Sequence, residues 1–504
     1  MTTITRGRRL GSWTRLACLA ATLGLSLGAG ACDSLLEVDL PAQLGDDALE
    51  DPSGADSQIS TIIEHFEQGY DLTTWQFHGH EDGGEIRLAS PGTNAGDMTY
   101  SFNAVGGPQA GYEGWFQEFA TSRRFAVHLH GKLSKEWTVQ QVPKRAQYLA
   151  ISSLYHGAAL NMMGSALCEV ALDGGKLMTP NETLTMAETQ LTLALTQIGS
   201  TDFAIPFGIA TSARTMAYGL RAQVRWMKGD KPGALADALQ VPQGFNAWVT
   251  RDGSPARRNK SYWAGTLSRY SELYDVNNWW KPADRINPVT RLAWPTNIPF
   301  TGYPYLGILP DGRAVRDDGL PIRRTGANAA VPGVEPTAVA DTRVPFFLGN
   351  IAGLGSGQRP IHQKYAAIDS DIPVVNWREM ALIRAEIEGG QRAIDLVNQL
   401  RDFDKLPRVT YANPANAQQI RYMVIEERRR ALFLEGRFYF TKLQNTDLLW
   451  FPRAQGQTPG AGRALEGGVR FIMPNNEFLL NSNTKLEDRG TRCDPNQRPV
   501  VTVT

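Results

Sequence analysis

Apolar residues recur at helical spacing along much of the chain. In residues 59–72 (ISTIIEHFEQGYDL), apolar side chains at positions 59, 62, 63, 66 and 70 form one stripe of an amphipathic helix. The same pattern predicts helices over residues 111–133, 144–163 and 186–198, with Pro143 placed to begin the second of these three. The chain therefore reads as mostly helical.

Two stretches have the pattern of a helix, a glycine turn and a second helix. Residues 212–241 turn at Gly229-Asp230, and residues 377–400 turn at Gly389-Gly390. Small side chains such as Ala217 and Ala238 allow the paired helices to approach closely. Each stretch resembles a tetratricopeptide unit. Because the units are irregularly spaced, we predict an all-α scaffold of tetratricopeptide-like pairs with large insertions, not a tandem solenoid.

The largest insertion spans residues 246–373, where prolines recur from Pro282 to Pro360 and rule out long helices. It is rich in aromatic residues, so we expect an ordered, functional region. Aromatic rings stack on sugar faces, and amide or charged side chains bind sugar hydroxyls. The alternative is that the aromatic residues only anchor the loop to the helices. The candidate ligand-binding residues are Asn277, Asn278, Trp279, Trp280, Trp294, Tyr303 and Tyr305, with Trp75 (beside Phe77) as a second patch.

Residues 421–444 contain EERRRALFLEGRFYF, a cluster of charges followed by an apolar and aromatic run. A helix that is apolar over most of its surface is buried. Glu426 and Glu427 lie at helical offsets from Arg429 and Arg430, so we predict one continuous buried helix whose charges pair internally.

The charge balance excludes a basic nucleic-acid-binding surface. Lys and Arg number 51 and Asp and Glu number 51, which gives a formal net charge of +0. Nucleic-acid-binding proteins normally carry a clustered positive face.

The N-terminus has the features of an export signal. Arg6, Arg8, Arg9 and Arg15 precede an apolar run, residues 16–30, that is shorter than the roughly 20 residues of a membrane span. Small residues then lead to Cys32, which predicts cleavage of residues 1–31 and lipidation of Cys32; ordinary secretion with nearby cleavage is the alternative. Residues 32–58 read as a tether and residues 59–504 as one helical domain.

Two cysteines remain after the signal and the lipidated position. Cys168 and Cys493 form an even pair in an exported, oxidising setting, which predicts a disulfide. Two unpaired thiols are the alternative.

Four motifs together resemble the SusD/RagB family of outer-membrane nutrient-binding lipoproteins. EERRRALFLEGRFYF resembles the family's I-x-x-E-R-R-x-E-L-x-x-E-G-x-R helix. WREMALIRAEIEGG resembles its R-x-x-E-x-x-L-I-R-A-E helix. CDSLLEVDLPAQLGDDAL resembles its lipid-cysteine segment, and FIMPNNEFLLN its terminal P-I-P segment. FYFTKLQN and CEVALDGG depart from the usual family sequences.

The resemblance implies a single helical domain, a lipid anchor in the outer membrane at the cell surface, and a SusC-like TonB-dependent barrel as partner. The implied ligand is a glycan or, in some members, a peptide. We therefore expect no enzyme activity, no cofactor, no metal and no nucleic-acid partner.

Two other function classes stay open. A metal-dependent hydrolase could use His78, His80, Glu81 and Asp82 if they lie on a strand, where His-x-His can hold zinc. His128 and His130 repeat the spacing within a predicted helix, where the rings diverge. A pure protein-binding scaffold is the other class, which the aromatic insertion disfavours.

Overall fold

The structure, a computed structural model, describes residues 49–77, 112–262, 342–343, 363–406, 408–409, 412–446 and 470–494. The backbone is also described at residues 307–308, 314–315, 346–349 and 359–362. The chain divides into two compact units, residues 1–54 and residues 55–504. In the first unit, Pro52–Gly54 form a 3-10 turn.

The second unit is mostly helical, as predicted from the apolar stripes. Short 3-10 turns lie at Pro206–Gly208 and Leu486–Asp488. The described helices are α1 (Ala55–Phe77), α2 (Tyr112–Lys135), α3 (Arg145–Ala166), α4 (Pro180–Ile198), α5 (Ala213–Lys228), α6 (Lys231–Ala238), α7 (Lys260–Tyr262), α8 (Trp377–Glu388), α9 (Gly390–Phe403), α10 (Ala417–Ala431), α11 (Phe438–Gln444) and α12 (Asn475–Leu479).

Consecutive helices pack against one another from α1 to α6, and α8 packs against α9 and α10. Glycines in α3 allow the closest approach. A Cβ on Gly157 would lie 2.7 Å from Leu191 Cγ, and one on Gly164 would lie 3.0 Å from Leu184 Cγ. These two positions bring α4 directly against the backbone of α3, so the core between them is tightly closed.

Both predicted helix–turn–helix units are present. Gly229 ends α5 in the left-handed conformation, with φ of 80°. Asp230 then caps α6, since its Oδ1 accepts a hydrogen bond from Gly233 N at 3.0 Å. Gly389 and Gly390 also have positive φ between α8 and α9. The fold is therefore the all-α, tetratricopeptide-like scaffold that the sequence predicted.

The strands form three two-stranded antiparallel sheets among the described residues: β1 (Asn246–Val249) with β6 (Ile372–Asn376), β2 (Gly307–Ile308) with β3 (Ala314–Val315), and β4 (Phe346–Gly349) with β5 (Arg359–His362). The pair β1–β6 joins the two ends of the long insertion, with Asn246 opposite Asn376. The insertion therefore leaves and rejoins the helical body at one place.

The continuous helix predicted over residues 421–444 is wrong. Helix α10 ends at Ala431 and α11 begins at Phe438, because Leu434 and Gly436 have φ of 56° and 70°. A Cβ on Gly436 would lie 3.2 Å from Thr74 Cγ2 and 3.3 Å from Thr74 Cα. The break lets residues 432–437 pack closely against α1, which a helix through this region could not do.

Among the described residues, no helix combines the length and the apolar run needed to cross a bilayer.

Candidate functional site at the base of the insertion

Most of the predicted ligand-binding residues lie outside the described residues. This holds for Asn277, Asn278, Trp279, Trp280, Trp294, Tyr303 and Tyr305, as it does for the lipidation candidate Cys32 and for His78, His80, Glu81 and Asp82. The structure does describe Trp75 and both ends of the insertion that carries the other aromatic candidates.

The two residues of the predicted second patch, Trp75 and Phe77, lie in different environments. Trp75 is half-buried near the end of α1, and its Nε1 has no hydrogen-bond partner in the part of the chain that the structure describes. Phe77 is fully buried, with its ring centroid 4.7 Å from that of Tyr439 and 5.3 Å from that of Phe471. Phe77 is therefore a core residue and cannot stack on a ligand, so that part of the prediction is wrong.

The entry to the insertion is held on α1 by a buried group of charges, which we call the entry network: Glu67, Asp71, Arg251, Arg257 and Lys260. The Glu67 carboxylate accepts hydrogen bonds from Thr250 N at 2.7 Å and from Arg257 Nη2 at 2.9 Å. The Asp71 carboxylate accepts from Lys260 N at 3.0 Å and from Arg251 Nη1 at 3.2 Å. The Arg251 and Asp71 side chains are 0% exposed.

The pKa values of both acids in the entry network reflect their burial. Desolvation raises the pKa of Asp71, and Lys260 and Arg251 only partly offset it. Burial likewise raises the pKa of Glu67 against the opposing effects of Thr250 N–H and Arg251. Two negative and three positive side chains are thus concentrated where the insertion leaves the body.

The exit of the insertion is held by residues 432–437. Lys364 Nζ lies 2.7 Å from Glu435 Oε1, and Asn376 Nδ2 donates to Glu435 Oε2 at 2.9 Å. Tyr365 donates its hydroxyl to Leu434 O at 2.8 Å. Tyr70 of α1 donates to Glu435 O at 3.2 Å, so the two ends of the insertion share one helix as support.

A third attachment involves α10. Glu427 binds Arg343, within the insertion, at 2.8 Å, and also accepts from Arg401 Nε at 2.9 Å. Burial raises its pKa, but the fields of Arg343 and Arg401 are stronger and lower the pKa to about 2. The prediction that the α10 charges pair internally therefore holds for Glu426, which binds Arg429 and Arg430, but is wrong for Glu427.

The sequence contains a signal for the entry network outside the motifs described above. Glu67 and Asp71 are four residues apart inside the buried stripe of α1, where an acid needs a partner. Helix α1 contains no Lys or Arg that could pair with them. RDGSPARRNK (residues 251–260) holds the complementary cluster of basic residues.

The C-terminal segment, residues 470–494, docks beside the end of α3. Cys168 N donates to Phe471 O at 2.7 Å, and Arg470 Nη1 donates to Ser165 O at 2.8 Å. A disulfide joins Cys168 to Cys493, whose Cα atoms are 4.8 Å apart. The segment is thus attached both by backbone hydrogen bonds and by a covalent link.

The second histidine pair, His128 and His130, lies on α2. His130 Nε2 lies 2.8 Å from Gln197 Nε2, and burial lowers the pKa of His130. In the described ranges, no three His, Cys, Asp or Glu side chains come together so that they could hold a metal ion.

No protein-family model matches this sequence, and no curated protein matches it. Several solved structures have a similar fold. A SusD-like carbohydrate-binding protein from Bacteroides vulgatus has a TM-score of 0.57 at 12% identity, over 90% of this chain and 99% of that one. A SusD homologue from Bacteroides thetaiotaomicron has a TM-score of 0.58 at 12% identity, over 88% and 99%.

A third similar structure is the surface glycan-binding protein A from Bacteroides thetaiotaomicron in complex with laminarihexaose. It has a TM-score of 0.50 at 15% identity, over 84% of this chain and 98% of that one. The chain therefore has the fold of SusD-like proteins, which the four sequence motifs indicated.

Proposed function

We propose that this chain, which has the fold of SusD-like proteins, captures an oligosaccharide through its aromatic insertion. The observation that carries the proposal is the attachment of the insertion. Its entry, its exit and Arg343 are each held on the helical body by buried ion pairs or hydrogen bonds. Such support preorganises a binding surface and reduces the entropy lost when a ligand binds.

The chemistry of the insertion supports a glycan. Trp279 and Trp280 follow Asn277 and Asn278, so rings for stacking and amides for hydroxyl groups occur together. One protein of similar fold is named a carbohydrate-binding protein, and another is in complex with laminarihexaose. A peptide is the alternative ligand, because amides and aromatic rings also bind extended backbones.

The export signal and Cys32 extend the proposal to the cell envelope. We infer that the mature protein is anchored by lipid at Cys32 in the outer membrane, exposed at the cell surface. Acyl chains contribute about 0.8 kcal/mol per buried CH₂, so several chains hold a protein firmly. Its partner would be a SusC-like TonB-dependent barrel that takes up the bound ligand.

We propose a binding protein without catalysis. The competing proposal is a metal-dependent hydrolase built on His78 and His80. Metal analysis of chelator-free protein distinguishes the two, because stoichiometric zinc that is lost on mutation of His78 and His80 would favour the hydrolase.

The ligand proposal is tested by Trp279→Ala with Trp280→Ala. We expect affinity for an oligosaccharide identified on a glycan array to fall by about tenfold or more, because two stacking surfaces are lost. Isothermal titration measures the affinity, and circular dichroism should retain the helical signal. The control is Phe207→Ala, which removes a phenyl ring that is 60% exposed on the helical body.

An unchanged affinity in the double variant would remove these two residues from the proposed site. Binding of peptides and of no oligosaccharide by the wild-type protein would replace the glycan proposal with the peptide alternative. The partner is tested separately by purifying the lipidated protein from its own membrane. Recovery of the protein alone, in detergents that preserve such complexes, would contradict the barrel partnership.

A further inference from the structure

The outer face of α9 forms the floor of an open cavity of about 480 Å³. Cavities that bind small molecules commonly fall in the range of roughly 300–1,000 Å³. This one lies on the second helix–turn–helix unit and includes no residue of the entry network. The lining residues are Gln243, Asp395, Asn398, Gln399, Asp402, Phe403 and Arg408.

Four polar positions of α9 share one face because of their spacing. Asp395, Asn398, Gln399 and Asp402 lie at offsets of 3, 4 and 7 residues from the first, which places them in one stripe. The opposite stripe of α9 is buried, with Ala393, Val397 and Leu400 each fully covered. The helix therefore presents a row of carboxylate and amide groups to solvent.

Two walls rise on either side of this row, and side-chain hydrogen bonds hold both. On one side, Gln399 Nε2 donates to Gln243 Oε1 at 2.7 Å. On the other, the chain after α9 folds back, so that Val409 N donates to Asn398 Oδ1 at 2.8 Å. Arg408 then binds Asp402 through two hydrogen bonds of 2.9 and 2.6 Å. Contacts within the protein thus hold both sides of the cavity in place.

Phe403 supplies an aromatic surface at the end of the row. Its ring packs edge-on against the buried Trp377, with centroids 4.9 Å apart, and the Arg378 guanidinium lies 5.1 Å from the Phe403 ring. These contacts fix the ring, yet 48% of the residue stays exposed. One exposed phenyl ring is ordinary on a protein surface. Phe403 differs from such a ring because its neighbours hold it in place and it lies beside the amide and carboxylate groups of α9.

We propose that this cavity is a second saccharide-binding site, separate from the aromatic insertion and specific for uncharged sugars. A pyranose ring would stack its C–H face on Phe403, while its hydroxyl groups would bind the amides and carboxylates of α9. The lining has two carboxylates and one guanidinium, so its formal charge is −1. That charge disfavours uronic acids and sulfated sugars. The inference rests on the proposed glycan function and adds a second contact point along the ligand.

The test uses the Trp279→Ala, Trp280→Ala protein, in which the insertion site is weakened. An array of laminari-, cello-, malto- and xylo-oligosaccharides with oligogalacturonate identifies the probes, and isothermal titration follows. We expect residual binding of at least one neutral oligosaccharide and none of oligogalacturonate. Adding Phe403→Ala should weaken that residual binding about tenfold or more, whereas Phe403→Tyr should retain it because the ring remains.

Phe207→Ala in the same background is the matched control, since it removes another exposed phenyl ring outside the cavity. Thermal unfolding of each variant checks that the fold is kept. The second site is overturned if Phe403→Ala and Phe207→Ala have the same small effect, or if oligogalacturonate binds as well as the neutral probes. Wild-type protein that binds in the insertion but shows no Phe403 dependence would overturn this site alone. Wild-type protein that binds no oligosaccharide would overturn both proposals.

Discussion

The insertion and the C-terminal segment are attached to the same helical body by different physical means. The entry network places Glu67, Asp71 and Arg251 side chains at no more than 1% exposure and relies on opposite charges. The C-terminal segment relies on backbone hydrogen bonds to the end of α3, on Arg470 and on the Cys168–Cys493 disulfide. A buried charge requires its partner, whereas a covalent link requires only an oxidising environment.

This difference predicts that the attachment of the insertion and that of the C-terminal segment are disrupted by different changes. Loss of one charge at the base of the insertion leaves another charge buried without compensation, while reductant has no target there. Reduction should weaken the attachment of the C-terminal segment and leave the entry network in place. Each attachment can therefore be broken without the other.

The largest effect is expected from Asp71→Ala. Among the described residues, the Arg251 guanidinium would keep only the Glu67 carboxylate, 3.5 Å from Nη2, as an acidic partner. Lys260 Nζ would lose its 3.3 Å contact with Asp71. Removal of one partner from a buried ion pair costs about 3–5 kcal/mol in the free energy of unfolding. Urea unfolding followed by circular dichroism measures the change.

The control for Asp71→Ala is Asp252→Ala, which breaks an ion pair whose aspartate side chain is 53% exposed. Exposed pairs contribute about 0–1 kcal/mol. The combined Asp71→Leu, Arg251→Met variant should recover much of the loss, because the buried Arg251 charge is removed with its partner and Glu67 keeps its ion pair with Arg257. Equal effects of Asp71→Ala and Asp252→Ala would show that the entry network does not depend on buried charge.

A smaller effect is expected from Cys168→Ser with Cys493→Ser. The disulfide closes a separation of 325 residues, and removal of native disulfides usually costs about 2–4 kcal/mol. Urea unfolding should show the loss, and limited proteolysis should cut the C-terminal segment first. Reductant added to the wild-type protein should reproduce the effect, while the double variant should not respond to it.

Peptide mapping without reductant provides the direct check on this disulfide. One linked peptide that contains both cysteines is expected. Two separate peptides, together with an unchanged unfolding midpoint in the double variant, would contradict a role for this link in solution.

The structural features that depend on nearby residues could be predicted from the sequence. Those that depend on contacts between distant segments could not. The stripe of α1 and the turns at Gly229 and Gly389 follow from the spacing of nearby residues, and all are present. The break before α11 was missed because it depends on Thr74, which packs against Gly436 from a distant part of the chain. The partners of Glu427 were missed for the same reason, since Arg343 and Arg401 come from other segments.

The candidate site shows the same division. The cysteine count indicated the pair that the structure joins, because two cysteines remain once the predicted signal and the predicted lipidation position, Cys32, are set aside. Composition singled out the aromatic insertion, but it could not separate Trp75, which is half-buried, from Phe77, which is a core residue. The roles of Trp279 and Trp280 stay predictions that binding measurements must decide.

The smallest effect is expected at Glu169, a buried acid next to the disulfide residue Cys168. Glu169 is fully buried against the C-terminal segment, and neither of its carboxylate oxygens accepts a hydrogen bond of normal geometry. Burial raises its pKa to about 7, although the amides of Gly490, Met473 and Arg492 and the charge of Arg489 act in the opposite direction. Unlike Asp71, Glu169 forms no ion pair with any described residue that would keep it charged.

The direction in which the stability of the protein changes with pH follows from the number of protons that the folded and unfolded states bind. Between the ordinary glutamate pKa of 4.5 and the folded value of about 7, the folded protein holds more protons than the unfolded chain. The contribution of Glu169 to the free energy of unfolding is therefore largest below pH 4.5, falls as the pH rises towards 7, and is constant above that. We expect Glu169→Gln to remove that slope and to stabilise the protein at pH 8 by about 1–3 kcal/mol.

Glu182→Gln is a matched control of opposite sign, because Thr179 N–H lowers the pKa of the exposed Glu182 carboxyl at the start of α4. Its loss should slightly destabilise the protein at neutral pH and leave the slope between pH 4.5 and 7 unchanged. Urea midpoints measured across this range for both variants decide the matter. If Glu169→Gln keeps the wild-type slope, Glu169 is charged in the folded protein, and the C-terminal segment holds a compensated acid as the entry network does.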